Sequence, residues 1–338
     1  MMKHKFLIIV LLSFFLVLMF NYCSDQQDEN ADSENLSNEI KNATPRKFTG
    51  FYFVGLHSGV TSILRYDYEK DKVKLFWHSR DERVIDLLIA PDYKSGFFIT
   101  KRKQRLKSSL PAIERGKLYR IDFELNKAES ITQLVEGIQV IPFWIDNDRF
   151  TLVINSIDKT IASYINKNTQ VYNRFGKLLS DNTEIFDITK DGYPVTKLPQ
   201  LNLKSQNEMF TIVEKNDSVF IKNTKSKKEI KTRFKSKKIL QINWAENNKH
   251  LLMLMIPKSN VQLEVENLKP ILAVFDLQLK KTIKVFDNVS FKNFVLIGDF
   301  LIFDKGIGRD SEIEIVKLES LNKFKTIKLN GGCSLRSL

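Results

Sequence analysis

The stretch Ile239-Leu-Gln-Ile-Asn-Trp244, the polar turn Glu246-Asn-Asn248 and the run Leu251 to Ile256 read together as one strand hairpin. Branched and aromatic residues fill both arms, and the acid and amides between them suit a tight turn. Just upstream, Ser218-Val-Phe-Ile-Lys222, a turn at Lys225 to Lys228 and the run Glu229 to Phe234 form a second hairpin of the same kind. The two hairpins make one unit: two strands across a polar turn, a short link, then two more.

That unit recurs along the chain. One copy holds Ile63 to Asp67, Val73 to Trp77, Val84 to Ala90 and Phe97 to Thr100, and another holds Lys117 to Asp122, Ser130 to Leu134, Gln139 to Ile145 and Phe150 to Ile154. A further copy runs from Leu272 to Asp304. Two are weaker. One lies around Ile161 to Tyr164, Thr169 to Phe175 and Ile185 to Pro194, with Asp191-Gly192 as its turn, and one begins at Glu312 to Leu318 and Phe324 to Leu329. The starts near 63, 117, 161, 218, 272 and 312 stand 40 to 57 residues apart, and no long helical periodicity appears after residue 45.

The strand ends Tyr66-Asp67, Ile121-Asp122 and Phe275-Asp276 go with the turns Ala90-Pro91-Asp92, Trp144-Ile-Asp-Asn-Asp148 and Trp244-Ala-Glu-Asn-Asn248. These turns resemble the W-S-P-D-G turn of TolB-like blades, and residues 48–338 resemble the broad class of WD40-like and TolB-like β-propellers. The resemblance implies an all-β fold of about six four-stranded blades. The alternative is another multi-sheet all-β repeat, such as a pair of β-sandwiches. The strand Gly50 to Leu56 has no partner in its own unit and is expected to close the ring by joining the last one.

Lys3, His4 and Lys5 precede the apolar run Phe6 to Phe20, which only Ser13 interrupts. At roughly 1.5 Å per residue that run reaches about 22 Å, short of the roughly 30 Å hydrocarbon core, so it reads as a signal peptide. Met19-Phe20-Asn21-Tyr22-Cys23-Ser24 resembles the lipobox of bacterial lipoproteins, which implies acylation of Cys23. An uncleaved helical anchor ending near Cys23 is the alternative, and both readings tether the body to a membrane outside the cytoplasm. The expected organisation is a signal peptide over 1–22, an acidic disordered tether over 23–47 and a propeller over 48–338. The expected location is the cell envelope.

The 338 residues carry 53 Lys plus Arg against 40 Asp plus Glu, and 43% are hydrophobic, with 25 Phe. That composition excludes a disordered or collagen-like chain, and two cysteines exclude a disulfide scaffold. The net +13 is uneven. From Ser24 to Thr44, Asp25, Asp28, Glu29, Asp32, Glu34 and Glu39 face only Lys41, so that stretch is near −5 and the body from Pro45 is near +16. Cations gather at Lys101, Arg102, Lys103, Arg105 and Lys107, and again at Lys225, Lys227, Lys228, Lys231, Arg233, Lys235, Lys237 and Lys238. A body so charged attracts polyanions, which outside the cytoplasm means phospholipid headgroups, lipopolysaccharide or anionic glycans, and an envelope protein is the other expected partner. Nucleic acid fits the charge but not the export signal. The same lysines also suit the protection of exposed strand edges.

No His-Glu-x-x-His, Gly-x-Ser-x-Gly or phosphate-loop pattern occurs, and no cofactor or metal is expected. His57, His78 and His250 read as scattered over separate units. Gly55-Leu-His-Ser-Gly59 reads as a strand-end turn, and Asp146-Asn-Asp148 as a hairpin turn rather than a calcium loop. Trp77, Trp144 and Trp244 read as wedges between neighbouring units, and Cys333 as a buried free thiol. The expected role is a non-enzymatic binding or scaffold module, with a propeller-type hydrolase or lyase as the alternative.

Overall fold

In the computed structural model the described residues run from 49 to 336, leaving out 91–92, 103–115, 135–138, 147, 159, 162, 193, 195–200, 202, 206–207, 246–248, 259–269, 288 and 307. The leader, Cys23 and the tether therefore lie outside the described residues, as do Lys103, Arg105 and Lys107 and parts of the Pro91-Asp92, Asn147 and 246–248 turns.

Sheet 1 contains β1 (Gly50–His57), β2 (Val60–Asp67) and β3 (Lys72–Trp77). Sheet 2 is β4 (Glu82–Ile89), β5 (Ser95–Arg102), β6 (Gly116–Asp122) and β7 (Lys127–Leu134). Sheet 3 is β8 (Gln139–Trp144), β9 (Arg149–Ile157), β10 (Tyr164–Asn173) and β11 (Leu178–Asp187), followed by the one-turn helix α1 (Ile188–Asp191). Sheet 4 holds β12 (Phe210–Lys215), β13 (Ser218–Asn223) and β14 (Glu229–Lys235), with a single bridge from Lys204 to Thr211 in the fourth place. Sheet 5 is β15 (Lys237–Trp244), β16 (His250–Pro257), β17 (Ile271–Asp276) and β18 (Lys281–Asp287). Sheet 6 is β19 (Val289–Ile297), β20 (Phe300–Lys305), β21 (Glu312–Lys317) and β22 (Lys323–Lys328). Each is an antiparallel meander, and the chain is a β-propeller of six blades.

The repeats seen in the sequence are out of frame with the blades by two strands. Ile63–Asp67 and Val73–Trp77 lie in sheet 1, whereas Val84–Ala90 and Phe97–Thr100 open sheet 2. A sequence shows that hairpins alternate but not which pair shares a sheet. In the weak third copy, Phe175 sits in the β10–β11 turn rather than in a strand, and Asp191-Gly192 ends α1 rather than turning a hairpin.

Ring closure also runs opposite to expectation. β1 pairs along its whole length with β2 in its own unit, and sheet 6 is complete. The closing piece is the C-terminal strand β23 (Cys333–Ser334), which adds to β1 as the innermost strand of sheet 1. Gly331 and Gly332, at φ of 89° and 86°, let the chain cross between sheets. A Cβ on Gly332 would lie 2.2 Å from the Gly308 carbonyl oxygen, so the position needs glycine for both space and backbone.

Period-2 alternation aims each sheet's two faces at its two neighbours. On β16, Met253 and Met255 pack toward sheet 4 with Phe234 and Ile221, while Leu252 and Leu254 pack toward sheet 6 with Phe294 and Phe303. Phe53, Tyr66 and Ile315 join sheets 6 and 1, Val54, Leu87 and Phe98 join sheets 1 and 2, and Phe97, Phe150 and Tyr172 join sheets 2 and 3. Among the described residues no such buried cluster joins sheets 3 and 4. The tryptophans are wedges as expected: Trp77 lies against Phe98 and Tyr119 of sheet 2, Trp144 against Phe97, and Trp244 in the core between sheets 4 and 5. Trp144 and Trp244 end innermost strands, however, whereas Trp77 ends an outer one.

Candidate functional site

Because successive strands are antiparallel, the β1–β2 and β3–β4 connections lie at one end of the ring and the β2–β3 and β4–β5 turns at the other. Two features could serve function: the central channel, lined by β4, β8, β15, β19 and β23, and the rim, formed by the outer strands.

Polar ties join the inner strands of one blade to the next. Arg336, just beyond β23, donates from Nε to both carboxylate oxygens of Asp86 on β4 at 3.0 and 3.2 Å, and from a terminal nitrogen to the Pro142 carbonyl on β8 at 2.6 Å. Gln241 on β15 clasps the Phe294 backbone of β19, donating to its carbonyl at 2.8 Å and accepting from its N–H at 3.2 Å. Asp304, buried on β20, accepts from the Ser334 hydroxyl at 2.8 Å and the Leu335 N–H at 2.7 Å. These ties are structural, since each donor or acceptor named is already engaged by another blade.

At the start of β4, Glu82 accepts from Thr100 at 2.8 Å and Tyr119 at 3.1 Å and pairs with Lys117 at 2.7 Å. Burial alone would raise its carboxyl, but the Lys117, Thr100 and Tyr119 hydrogen bonds outweigh it and hold the group below the usual range.

The histidines are not all apart. His57 ends β1 and His78 follows β3, so one end of sheet 1 brings their rings to 5.2 Å, and the Ser62 hydroxyl lies 3.0 Å from His78 Nδ1. The expectation that each lies in its own unit fails here, because the repeat frame hid that β1 and β3 share a sheet. Ser62 is wholly buried and also donates to the Val60 carbonyl. His250 stands in sheet 5, where burial lowers its pKa. Gly55–Gly59 is the expected turn, with Ser58 and Gly59 at positive φ between paired His57 and Val60. Asp146 accepts the N–H groups of Asp148 and Arg149, as a hairpin-turn acid does. Cys333 is a buried free thiol, which burial pushes up to about 12.

The two basic stretches fall in different places. Lys101 and Arg102 end β5, where Lys101 stands directly opposite Arg83 and Arg102 opposite Glu82. The second stretch is a strip rather than a patch. Lys225, Lys227 and Lys228 sit in the β13–β14 turn, Lys231, Arg233 and Lys235 alternate on the exposed side of β14, and Lys237 and Lys238 open β15 at the opposite end. Thr232 and Phe234 on the other side of β14 are buried. Among the described residues none of these eight cations forms an ion pair.

Aligning the blades shows what the linear sequence does not. The outer strands of sheets 4, 5, 6 and 1 carry Lys231, Arg233, Lys235, Lys281, Lys284, Lys323, Lys325, Lys328, Lys72 and Lys74, against only Glu229 and Asp287. Those four sheets are consecutive around the ring. The outer strands of sheets 2 and 3 carry Lys127 against Glu129, Asp181, Glu184 and Asp187. The rim is thus a basic arc over four blades and a neutral-to-acidic arc over two.

No family model matches the chain, and no curated protein matches it. Solved structures similar to it include TolB from Acinetobacter baumannii, at 13% identity over 88% of this chain and 69% of that one, with a TM-score of 0.45. The periplasmic gluconolactonase of Pseudomonas aeruginosa matches at 11% identity over 86% of this chain and 98% of that one, with a TM-score of 0.45. A putative 6-phosphogluconolactonase from Bacteroides fragilis matches at 9% identity over 86% and 99%, with a TM-score of 0.41. The propeller assignment stands on the chain's own sheets and their closure. No helix among the described residues is long and apolar enough to cross a membrane.

Proposed function

We propose that this chain is a lipid-tethered envelope propeller that binds a polyanionic partner, glycan or lipid headgroups, along its basic rim without performing catalysis. The observation that carries this reading is the arc of sheets 4, 5, 6 and 1. Protection of strand edges explains a lysine on an outer strand, as the single Lys127 of β7 does, but two or three cations on each of four consecutive outer strands exceed that need. All ten except Lys325 are exposed; Lys74 pairs with Asp67, Lys328 with Glu312 and Lys325 with Asp71, and among the described residues the other seven form no ion pair. A Cys23 tether would hold this arc near a headgroup or glycan layer, where each cation adds attraction within a screening length of roughly 10 Å.

The test is binding of the full chain to vesicles with and without anionic lipid, and to a sulfated glycan, across a salt series. The reading expects binding to an anionic surface that weakens steeply with salt. Binding that ignores salt and lipid charge contradicts it.

A further inference from the structure

Outer strand β11 differs from its five counterparts. It is ten residues long, Leu178 to Asp187, and its first eight residues are exposed on both faces. Every other outer strand carries at least one lysine, whereas β11 carries no Lys or Arg. It also shows apolar side chains to solvent: Ile185 is 65% exposed and Leu179 50%. Its inner side is fully paired to β10, with one bulge between Val171 and Tyr172, and among the described residues no strand pairs with its outer side. About half of its backbone N–H and C=O groups therefore point outward from a long, unguarded edge, the arrangement that templates strand addition.

We propose that β11 is a strand-addition site for an extended basic segment of a partner protein. Charge chooses the occupant. Asp187 is taken up by Thr189 and Lys190, but Asp181, which accepts from the Asn168 and Gln170 amides, lies on one face of β11 and Glu184, shared with Lys167 at 3.5 Å, on the other, so an added strand bearing Lys or Arg on both faces meets a carboxylate on either side. Leu179 and Ile185 supply apolar contact between them. A second copy of the chain is disfavoured as occupant, because a body near +16 repels itself. At about 3.3 Å per residue the edge accommodates roughly ten residues, or about 33 Å of extended chain. The site lies off the basic arc and takes a partner of opposite charge, so it does not rest on the function proposed above.

The test uses the full chain and a ten-residue peptide repeating Lys-Lys-Thr-Thr, which sets Lys on both faces of an extended strand, beside the same peptide N-methylated at every residue. The methylated form keeps the charge but cannot form the ladder. The proposal expects the plain peptide to bind with new hydrogen-exchange protection in residues 178–187. It expects at least a tenfold weakening both for the methylated peptide and for the Leu179→Lys/Ile185→Lys variant, whose exposed positions leave the melting temperature unchanged. Equal binding of the two peptides, protection elsewhere in the ring, or no binding of the plain peptide overturns it. So does self-association of the chain that the double variant abolishes, which would make the occupant a second copy.

Discussion

Arg336 and Asp86 are 250 residues apart in sequence, yet the guanidinium Nε sits 3.0 Å from one Asp86 oxygen and 3.2 Å from the other. The same arginine reaches the Pro142 carbonyl, so the last described residue of the chain ties sheet 1 to sheets 2 and 3. Charge-assisted bonds of this kind contribute about 1.5–3 kcal/mol when shielded, and partial exposure brings this one toward the lower end. Arg336→Ala is therefore expected to lower unfolding free energy by about 1–2 kcal/mol in urea titrations. A change within error would show that the tie is incidental.

The closure strand has its own reporter. Cys333 is buried, and its thiol is pushed up to about 12, so it is expected to resist iodoacetamide in the native chain at neutral pH. Asp304→Ala removes the acceptor of Ser334 and Leu335, and Gly332→Ala forces a Cβ against the Gly308 carbonyl. Each is expected to raise the rate of Cys333 alkylation several-fold, read by peptide mass mapping. Fast labelling of the unmodified chain would mean that β23 is not seated on β1.

Glu82 makes stability depend on pH. Its folded pKa is depressed, so its contribution is full above the ordinary carboxylate value of about 4.3 and is lost as pH falls through the lower folded value. Glu82→Gln is expected to be less stable than the parent at neutral pH and to converge with it at acid pH, as followed by denaturant titration. A constant gap at every pH would contradict the assigned role of Lys117, Thr100 and Tyr119.

Much of this architecture was legible before any coordinates. Runs such as Leu251–Ile256, buried on both faces, announce strands packed between two neighbours, and the unit count follows from their spacing. The frame was not legible, because a turn such as Lys225–Lys228 and a blade-to-blade link such as Ser236 look alike in sequence. From that one ambiguity came the misplaced closure and the separation of His57 from His78. Arg336, Asp86 and Gln241 carried no local signal, since their partners lie 53 to 250 residues away. The basic stretch Lys222–Lys238 was visible as a charge run. Its continuation on Lys281, Lys323 and Lys72 appeared only once outer strands were aligned blade by blade.

The central claim is that the arc, and not net charge alone, recognises a polyanion. The most direct measurement compares two variants that lose the same charge from opposite sides of the ring. One is Lys231→Gln/Lys284→Gln/Lys323→Gln on the arc, and the other is Lys127→Gln/Lys177→Gln/Lys190→Gln on sheets 2 and 3 and α1. Binding of each to anionic vesicles and to a sulfated glycan is read at one low ionic strength. The account predicts at least a tenfold loss for the arc variant and near-parental binding for the other. Equal losses in both would reduce the attraction to overall charge and contradict the claim.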